Sequence, residues 1–204
     1  MLHTETVQPG LLALLEKLMR VDSLMNYNLV GGTALALYIG HRLSIDIDLF
    51  GSGELDTNNV VADLSDLGDL KTIQLSKNIK IFELNKIKLD IVTYQYRLIQ
   101  KPLLNNFIRI ASKEDISAMK LNAISGRGSK KDFIDLYFLL KEFSLKEIMD
   151  FYLQKYSSGS EFMVYKSLTY FDDANKQPMP EMISQVDWSE IKNYISDETG
   201  KLNI

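Results

Sequence analysis

Apolar and polar residues alternate with a period of two along LSIDIDLF, residues 43–50. This pattern predicts a strand with an apolar face formed by Leu43, Ile45, Ile47 and Leu49 and a polar face formed by Ser44, Asp46 and Asp48. Aspartate is a poor strand former, so two aspartates at this spacing need a compensating partner. Their backbone positions are about 7 Å apart on one face, where a bound cation can reach both carboxylates.

Other runs of β-branched, aromatic and alternating residues predict strands at residues 28–30, 70–75, 79–84 and 87–94. The last run, IKLDIVTY, places Lys88, Asp90 and Val92 on one face. If this strand lies beside residues 43–50, Asp90 supplies a third carboxylate. A surface ion pair with Lys88 is the simpler alternative for Asp90 alone.

Helical spacing and capping residues predict the remaining elements. Ser112 is the expected N-cap of a helix that ends near Gly126, and Ser129 with Asp132 resembles a capping box. The helix after Ser129 is expected to bury Phe133, Leu136, Tyr137 and Leu140. Further helices are predicted at residues 11–20, from Thr33 onward, and at 57–67, 144–155, 160–170 and 187–195, with DDANKQPMP as a loop.

Strands dominate the first half of the chain and helices the second. The predicted fold is therefore α/β (α+β), with a core at residues 1–105 in which helices flank a small mixed or antiparallel sheet. Residues 106–204 are predicted to form a helical region that completes the active-site cleft.

Composition excludes several classes of protein. The chain has 204 residues, 46% of them hydrophobic, and a net charge of −4, which argues against a protein that coats nucleic acid. Cysteine is absent, so disulfides and thiolate metal sites are excluded. The sequence contains no apolar run of the ~18 residues that a membrane span needs, and its start does not resemble a secretory signal. We expect a cytoplasmic protein without a membrane partner.

The carboxylates and a glycine turn together suggest phosphate chemistry. Hard oxygen ligands favour Mg²⁺ or Mn²⁺, and three carboxylates around a pair of ions suit in-line attack on a triphosphate. Gly31 and Gly32 follow the strand at residues 28–30, so backbone N–H groups and a helix N-terminus can approach phosphate oxygens. Arg42 and Ser44 are further nucleotide-binding candidates, whereas a lone histidine such as His41 is more often structural.

Four blocks in one order give a family resemblance: GGTALALYIG, HRLSIDIDLF, KLDIV and MKLNAISGRGSKKDFIDLYFLL. They resemble the AbiEii/AbiGii toxin group of the polymerase-beta-like nucleotidyltransferase superfamily, to which the mycobacterial MenT toxins are similar. The resemblance runs from about residue 28 to residue 140. It implies that residues 1–105 are a nucleotidyltransferase core.

The resemblance also implies roles for particular residues. Gly31 and Gly32 are implied to bind the triphosphate, and Lys120 to contact a phosphate. The implied metal ligands are Asp46, Asp48 and Asp90. A functional aspartate is implied at Asp132 or Asp135, and the choice stays open, since Asp132 can simply cap its helix. The family's first turn often has Gly-Ser, where this chain has Gly-Gly-Thr, so Thr33 is the candidate substitute for the serine.

The activity implied is transfer of a nucleotide from an NTP to an RNA or protein acceptor. Similarity to the MenT toxins suggests the tRNA 3′ end, whose phosphates Arg127, Lys130 and Lys131 could steer. The group resembles toxins of type IV toxin–antitoxin systems, whose antitoxin is encoded nearby and need not bind the toxin. Two alternatives stay open: a nucleotide-binding protein without turnover, and transfer to a small molecule such as an aminoglycoside.

Overall fold

The structure is a computed structural model that describes residues 2–53 and 55–202. The strands are β1 (Tyr27–Leu29), β2 (Ile47–Gly51), β3 (Leu70–Leu75), β4 (Ile79–Leu84), β5 (Ile87–Thr93), β6 (Leu103–Asn105) and β7 (Ile108–Ile110). The helices are α1 (Pro9–Leu18), α2 (Gly31–Ile39), α3 (Thr57–Ser65), α4 (Lys113–Gly126), α5 (Lys130–Leu139), α6 (Leu145–Lys155), α7 (Glu161–Ser167), α8 (Asp172–Asn175) and α9 (Trp188–Gly200). The predicted α/β class is confirmed.

The strands form one mixed sheet in the order β3-β4-β5-β2-β1-β7-β6. The central strand β2 runs parallel to β5 and antiparallel to β1. Strands β3, β4 and β5 form an antiparallel meander on one side, and β7 adds parallel to β1 on the other. The two strands expected to carry the acidic residues are therefore neighbours at the centre of the sheet.

Side-chain caps fix where several helices begin. Ser112 accepts a hydrogen bond from the backbone N–H of Asp115 at the start of α4, as predicted. Asp56 and Ser160 cap α3 and α7 in the same way, and Ser144 with Glu147 forms a capping box on α6.

One helix occupies the centre of the helical half. Helix α4 packs against α2, α5, α6 and α7, and α5 packs in turn against α2 and α9. The predicted inward face of α5 is buried, with Phe133 and Leu136 fully enclosed. Because α4 contacts so many elements, side chains on its sheet-facing side are held in defined positions.

The predicted strand at residues 43–50 begins four residues too early. Strand β2 begins only at Ile47, and Ile45, expected on the buried face, is 55% exposed, whereas Ser44 is buried. Residues 42 and 44 make isolated bridges to Met182 and Val7 instead of joining the sheet ladder. Alternation is a local pattern and carries no information about these distant partners. The pattern therefore predicted a longer strand than the structure contains.

Three other predictions differ from the structure. The hairpin of β6 and β7 was missed, since its strands have three residues each and its turn places Asn106 and Phe107 at positive φ. The predicted loop after Phe171 contains the short helix α8. Ser129 precedes α5, but its hydroxyl donates to the Asp132 side chain rather than accepting from the backbone, so the predicted capping box is absent.

The division into a core at residues 1–105 and a helical region at 106–204 stays a prediction. Strand β7 lies after that boundary and pairs with β1 through Leu29 and Ile110. Within the residues that the structure describes, none of the helices combines the length and the apolar character needed to cross a bilayer.

Candidate active site

The parallel pairing of β2 and β5 sets two carboxylates side by side. Asp48 and Asp90 are direct register partners, and the backbone N–H of Val30, just after β1, donates to the Asp48 carbonyl at 2.9 Å. Directly opposed residues on neighbouring strands point to the same face of a sheet. Val30, Asp48 and Asp90 therefore form one row across the three central strands.

Asp48 is an uncompensated carboxylate. In the described part of the chain, no side chain or backbone N–H donates a hydrogen bond to its carboxylate. Burial is the main cause that raises the pKa of Asp48 to about 6, and the neighbouring Asp90 carboxylate adds to it. A partly buried carboxylate beside a second carboxylate is a favourable place for a cation.

Asp90 and Asp46 differ from Asp48 in their partners. Lys88 Nζ donates to Asp90 Oδ1 at 2.6 Å, so the predicted alternative of an ion pair is present. Asp46 lies before β2 and is close enough for its charge to raise the pKa of Asp48. Among residues 2–53 and 55–202, no three acidic or histidine side chains form a ready metal-binding cluster. The structure thus brings Asp48 and Asp90 together, and a metal-binding role for Asp46 stays a prediction.

The glycine turn is built around Asp48. Gly31 has a φ of 70°, and a Cβ added there would collide with Asp48 Oδ2. A Cβ on Gly32 would collide with the guanidinium of Arg42. The positive φ of Gly31 favours glycine, and a side chain at Gly32 would displace the guanidinium of the buried Arg42.

A group of cations faces these carboxylates from α4 and its C-terminal end. Lys120 Nζ lies 3.0 Å from Asp132 Oδ1, and Arg127 Nε lies 2.9 Å from Asp132 Oδ2. Burial raises the pKa of Asp132, but Lys120 and Arg127 outweigh it and bring the pKa to about 2. Lys120 is buried, whereas the Arg127 side chain is 71% exposed and free to turn toward a ligand.

Asp135 lies beneath the cleft and binds Lys120 together with His41 and Arg42. It is fully buried and accepts from Arg42 Nε at 2.8 Å, lies 2.8 Å from His41 Nε2, and pairs with Lys120 Nζ at 2.6 Å. Burial alone would raise the pKa of Asp135, but Lys120 and Arg42 hold it well below its ordinary value. This arrangement separates the two candidates that the sequence left open, because Asp132 lines the cleft and Asp135 lies beneath it.

The sheet face and α4 enclose a cleft of about 490 Å³. It brings together six predicted site residues: Gly31, Asp48, Asp90, Lys120, Arg127 and Asp132. Two carboxylates on one wall thus face a lysine and an arginine on the other. This arrangement can hold a polyphosphate whose negative charge is shared between bound cations and basic side chains.

Other predicted site residues serve inside the fold. Thr33 Oγ1 lies 2.8 Å from Ser44 Oγ and donates to the Asp46 carbonyl, and both hydroxyl side chains are buried. Arg42 is 2% exposed and paired with Asp135. Lys130 is buried over the Trp188 ring, while Lys131 is exposed. These residues lie outside the lining of the cleft, and their predicted ligand contacts stay predictions.

The structure adds residues to the cleft that the sequence did not single out, chiefly Phe50, Val92, Tyr94 and Tyr156. Phe50 and Val92 each lie two residues after an acidic position on the same strand. The period of two could have indicated these two. Tyr156 follows α6, and only tertiary packing brings it here.

Adjacent carboxylates that face basic side chains across a cleft are the arrangement expected of a nucleotidyltransferase. The family described as "Nucleotidyl transferase AbiEii toxin, Type IV TA system" matches residues 13–201. The chain belongs to that family, as its sequence blocks predicted.

One protein sequence and two solved structures are similar to this chain. The uncharacterized protein aq_aa25 of Aquifex aeolicus (strain VF5) is 36% identical over 186 residues, which cover 88% of this chain and 89% of that protein. The structure of MenT4, the nucleotidyltransferase toxin Rv2826c of Mycobacterium tuberculosis H37Rv, matches with a TM-score of 0.60 and 11% identity over 94% of this chain and 83% of that chain. JHP933 from Helicobacter pylori matches with a TM-score of 0.55 and 17% identity over 93% and 87%. These two structures share the fold.

Proposed function

We propose that this enzyme transfers a nucleotide from an NTP to an RNA acceptor, with Mg²⁺ or Mn²⁺ held by Asp48 and Asp90. The observation that carries the proposal is the cleft in which these two carboxylates face Lys120, Arg127 and Asp132. The family assignment gives nucleotidyl transfer, and the cleft supplies the groups that such a reaction needs.

The sheet side of the cleft holds the reacting centre. Asp48 fits a divalent cation because its carboxylate is partly buried and lacks a donor in the described residues, and Asp90 lies next to it. When Asp90 turns from Lys88, both carboxylates face the cleft, and Asp46 approaches from two residues upstream. A bound divalent ion would neutralise phosphate charge and activate the acceptor hydroxyl.

The α4 side of the cleft holds the triphosphate. Arg127 can exchange its contact with Asp132 for phosphate oxygens, because its side chain is largely exposed. Lys120 stays fixed between Asp132 and Asp135 and adds positive charge without moving. Gly31 brings the N-terminus of α2 to the same cleft, where backbone N–H groups can bind phosphate.

The wider biological role is proposed from the family. Membership of a type IV toxin family supports action as a toxin whose antitoxin is encoded nearby and need not bind it. An RNA acceptor such as the tRNA 3′ end is the one that the sequence resemblance implies, and MenT4, a nucleotidyltransferase toxin, has the same fold. Both substrates are abundant in the cytoplasm, and a cytoplasmic location remains part of the proposal.

The proposal is tested by incubating the enzyme with each of four α-³²P-labelled NTPs, Mg²⁺ and total tRNA. We expect the wild type to label tRNA and to release pyrophosphate, and Asp48→Asn to reduce the rate by about 100-fold or more, because removal of one catalytic electrostatic group costs on this order.

Asp66→Asn is the matched control, because Asp66 is exposed at the end of α3 and lies outside the cleft. It should label tRNA at the wild-type rate. Native-rate labelling by Asp48→Asn would remove Asp48 from the site, and label on protein or on no macromolecule at all would overturn the RNA acceptor.

A further inference from the structure

A second cavity, of about 420 Å³, adjoins the cleft and shares Val30, Phe50, Tyr94 and Met119 with it. It extends toward the carboxyl ends of β2 and β5 and is bounded by Asn28, Tyr96 and the loop after β5. Lys120 and Arg127 line the cleft but not this cavity. The cavity therefore continues the active site away from its phosphate-binding side.

Asn28 is the unusual residue of this cavity. It lies in β1, is 8% exposed, and lines the cavity wall. Within the described residues, its side-chain amide makes no hydrogen bond with another group of the protein. The amide is reached from the cavity rather than sealed inside the protein, and asparagine is unfavourable in a central strand. Its position is therefore better explained by a ligand that presents both donors and acceptors.

The strand register places Asn28 one row from the catalytic carboxylates. Asn28 is opposite Phe50, and Phe50 is opposite Val92, whereas the preceding row contains Asp48 and Asp90. Rows on one face of a sheet are about 7 Å apart, because two residues separate them. A ring bound beside Asn28 would lie about one sugar's length from the reacting phosphate.

The walls of the cavity are aromatic and firmly held. The Tyr94 ring lies 5.0 Å from the Phe50 ring and 5.1 Å from the Tyr96 ring, and the hydroxyls of Tyr94 and Tyr156 are hydrogen-bonded. The buried Lys155 Nζ donates to the Arg97 carbonyl at 3.0 Å, which fixes the loop after β5. Aromatic surfaces beside an amide are suited to a flat heterocycle.

We propose that this cavity binds a nucleobase of one of the two substrates, with the Asn28 amide bonded to the base edge and Phe50, Tyr94 and Tyr96 lining its faces. An asparagine amide matches adjacent donor and acceptor atoms on a base, while the rings contact any base. The inference rests on the proposed function, because that function supplies the two possible sources of the base. They are the NTP and the terminal nucleotide of the acceptor RNA.

The test compares the wild type with Asn28→Leu, which keeps the branching of the side chain and removes the amide. KM and kcat are measured for ATP, GTP, CTP and UTP at fixed tRNA, and for tRNA at fixed NTP. We expect KM for one substrate to rise about 5- to 100-fold, the size of a lost base contact, while kcat changes less. A rise confined to NTP assigns the base to the nucleotide, and a rise confined to tRNA assigns it to the acceptor.

Two controls separate this inference from the proposed function. Asn58→Leu makes the same change at an exposed position of α3 and should leave both KM values unchanged. Binding of AMP, GMP, CMP and UMP is measured by calorimetry, which needs no turnover. Weaker binding of at least one monophosphate by Asn28→Leu supports the base site even if tRNA is not labelled. The base site is overturned if the KM values of Asn28→Leu equal those of the wild type. It is also overturned if both proteins bind all four monophosphates equally.

Discussion

At the scale of single residues, Asp48, the proposed metal ligand, differs from the aspartates that stabilise the fold. Asp132 and Asp135 are more deeply buried than Asp48, yet both have low pKa values because cations contact them. Burial and the neighbouring Asp90 raise the pKa of Asp48, and the charges of Lys120 and Lys88 do not offset them. A fold that keeps such a group sacrifices stability for function.

The raised pKa predicts how stability depends on pH. The folded-state pKa of Asp48 is about 6, above its ordinary value of 3.8, so folding favours the protonated form. Stability is therefore lost as the pH rises through this interval, and Asp48→Asn avoids the loss. Without divalent ions, we expect the variant to match the wild type near pH 4 and to exceed it by about 1–3 kcal/mol at pH 7.5.

Urea unfolding at several pH values, in the presence of EDTA, measures this difference. Asp66→Asn should follow the wild type at each pH. An Asp48→Asn variant that is less stable than the wild type at pH 7.5 would show that the carboxylate has a partner in the folded protein.

At the scale of elements, the junction of α2, α4 and α5 depends on one carboxylate. Asp135 on α5 holds Lys120 of α4 and the residues His41 and Arg42 that follow α2. All four side chains are buried or nearly so. The pair of helices that carries Lys120 and Asp132 is thereby fixed relative to the sheet.

Asp135→Asn should destabilise the protein by about 3–5 kcal/mol at neutral pH, since it leaves two buried cations without their shared anion. The pKa of Asp135 is lowered in the folded state, so its stabilising contribution is lost as the pH falls below about 4. Thermal or urea unfolding measures the effect. Asp150→Asn, which removes an exposed ion pair with Lys146 on α6, should change stability by less than about 0.5 kcal/mol.

At the scale of the whole molecule, the proposed active site lies where the sheet meets the helical half. Asp48 and Asp90 come from the central strands, while Lys120, Arg127 and Asp132 come from α4, its C-terminal end and α5. A ligand bound in the cleft therefore links both halves of the chain and should stabilise the protein as a unit.

Metal addition and removal test this link. Adding Mg²⁺ at ten times its dissociation constant should stabilise the wild type by about 1.4 kcal/mol, and excess EDTA should reverse the effect. For a chain of this length, that corresponds to a rise in Tm of about 3–6 °C. Asp48→Asn should show a smaller rise in differential scanning fluorimetry. Equal responses of both proteins would place the metal elsewhere.

Much of this molecule could be predicted from local patterns. The strands at residues 70–75 and 79–84 agree with the structure at both ends, and the Ser112 cap was identified correctly. The family blocks indicated a nucleotidyltransferase, and the family assignment confirmed it. These features depend on short-range rules: side-chain alternation, helix capping and the order of motifs.

Tertiary structure decided where residues of the same type lie. The sequence could not show that Asp132 lines the cleft and Asp135 lies beneath it, or that Arg42, a candidate phosphate ligand, is buried against Asp135. It also gave no reason to notice Asn28, whose importance comes from a cavity built by β2, the loop after β5 and α4. Periodicity fixes which side of its own element a residue occupies. Whether that side meets a cation, a cavity or solvent depends on residues far away in the chain, and only their packing determines it.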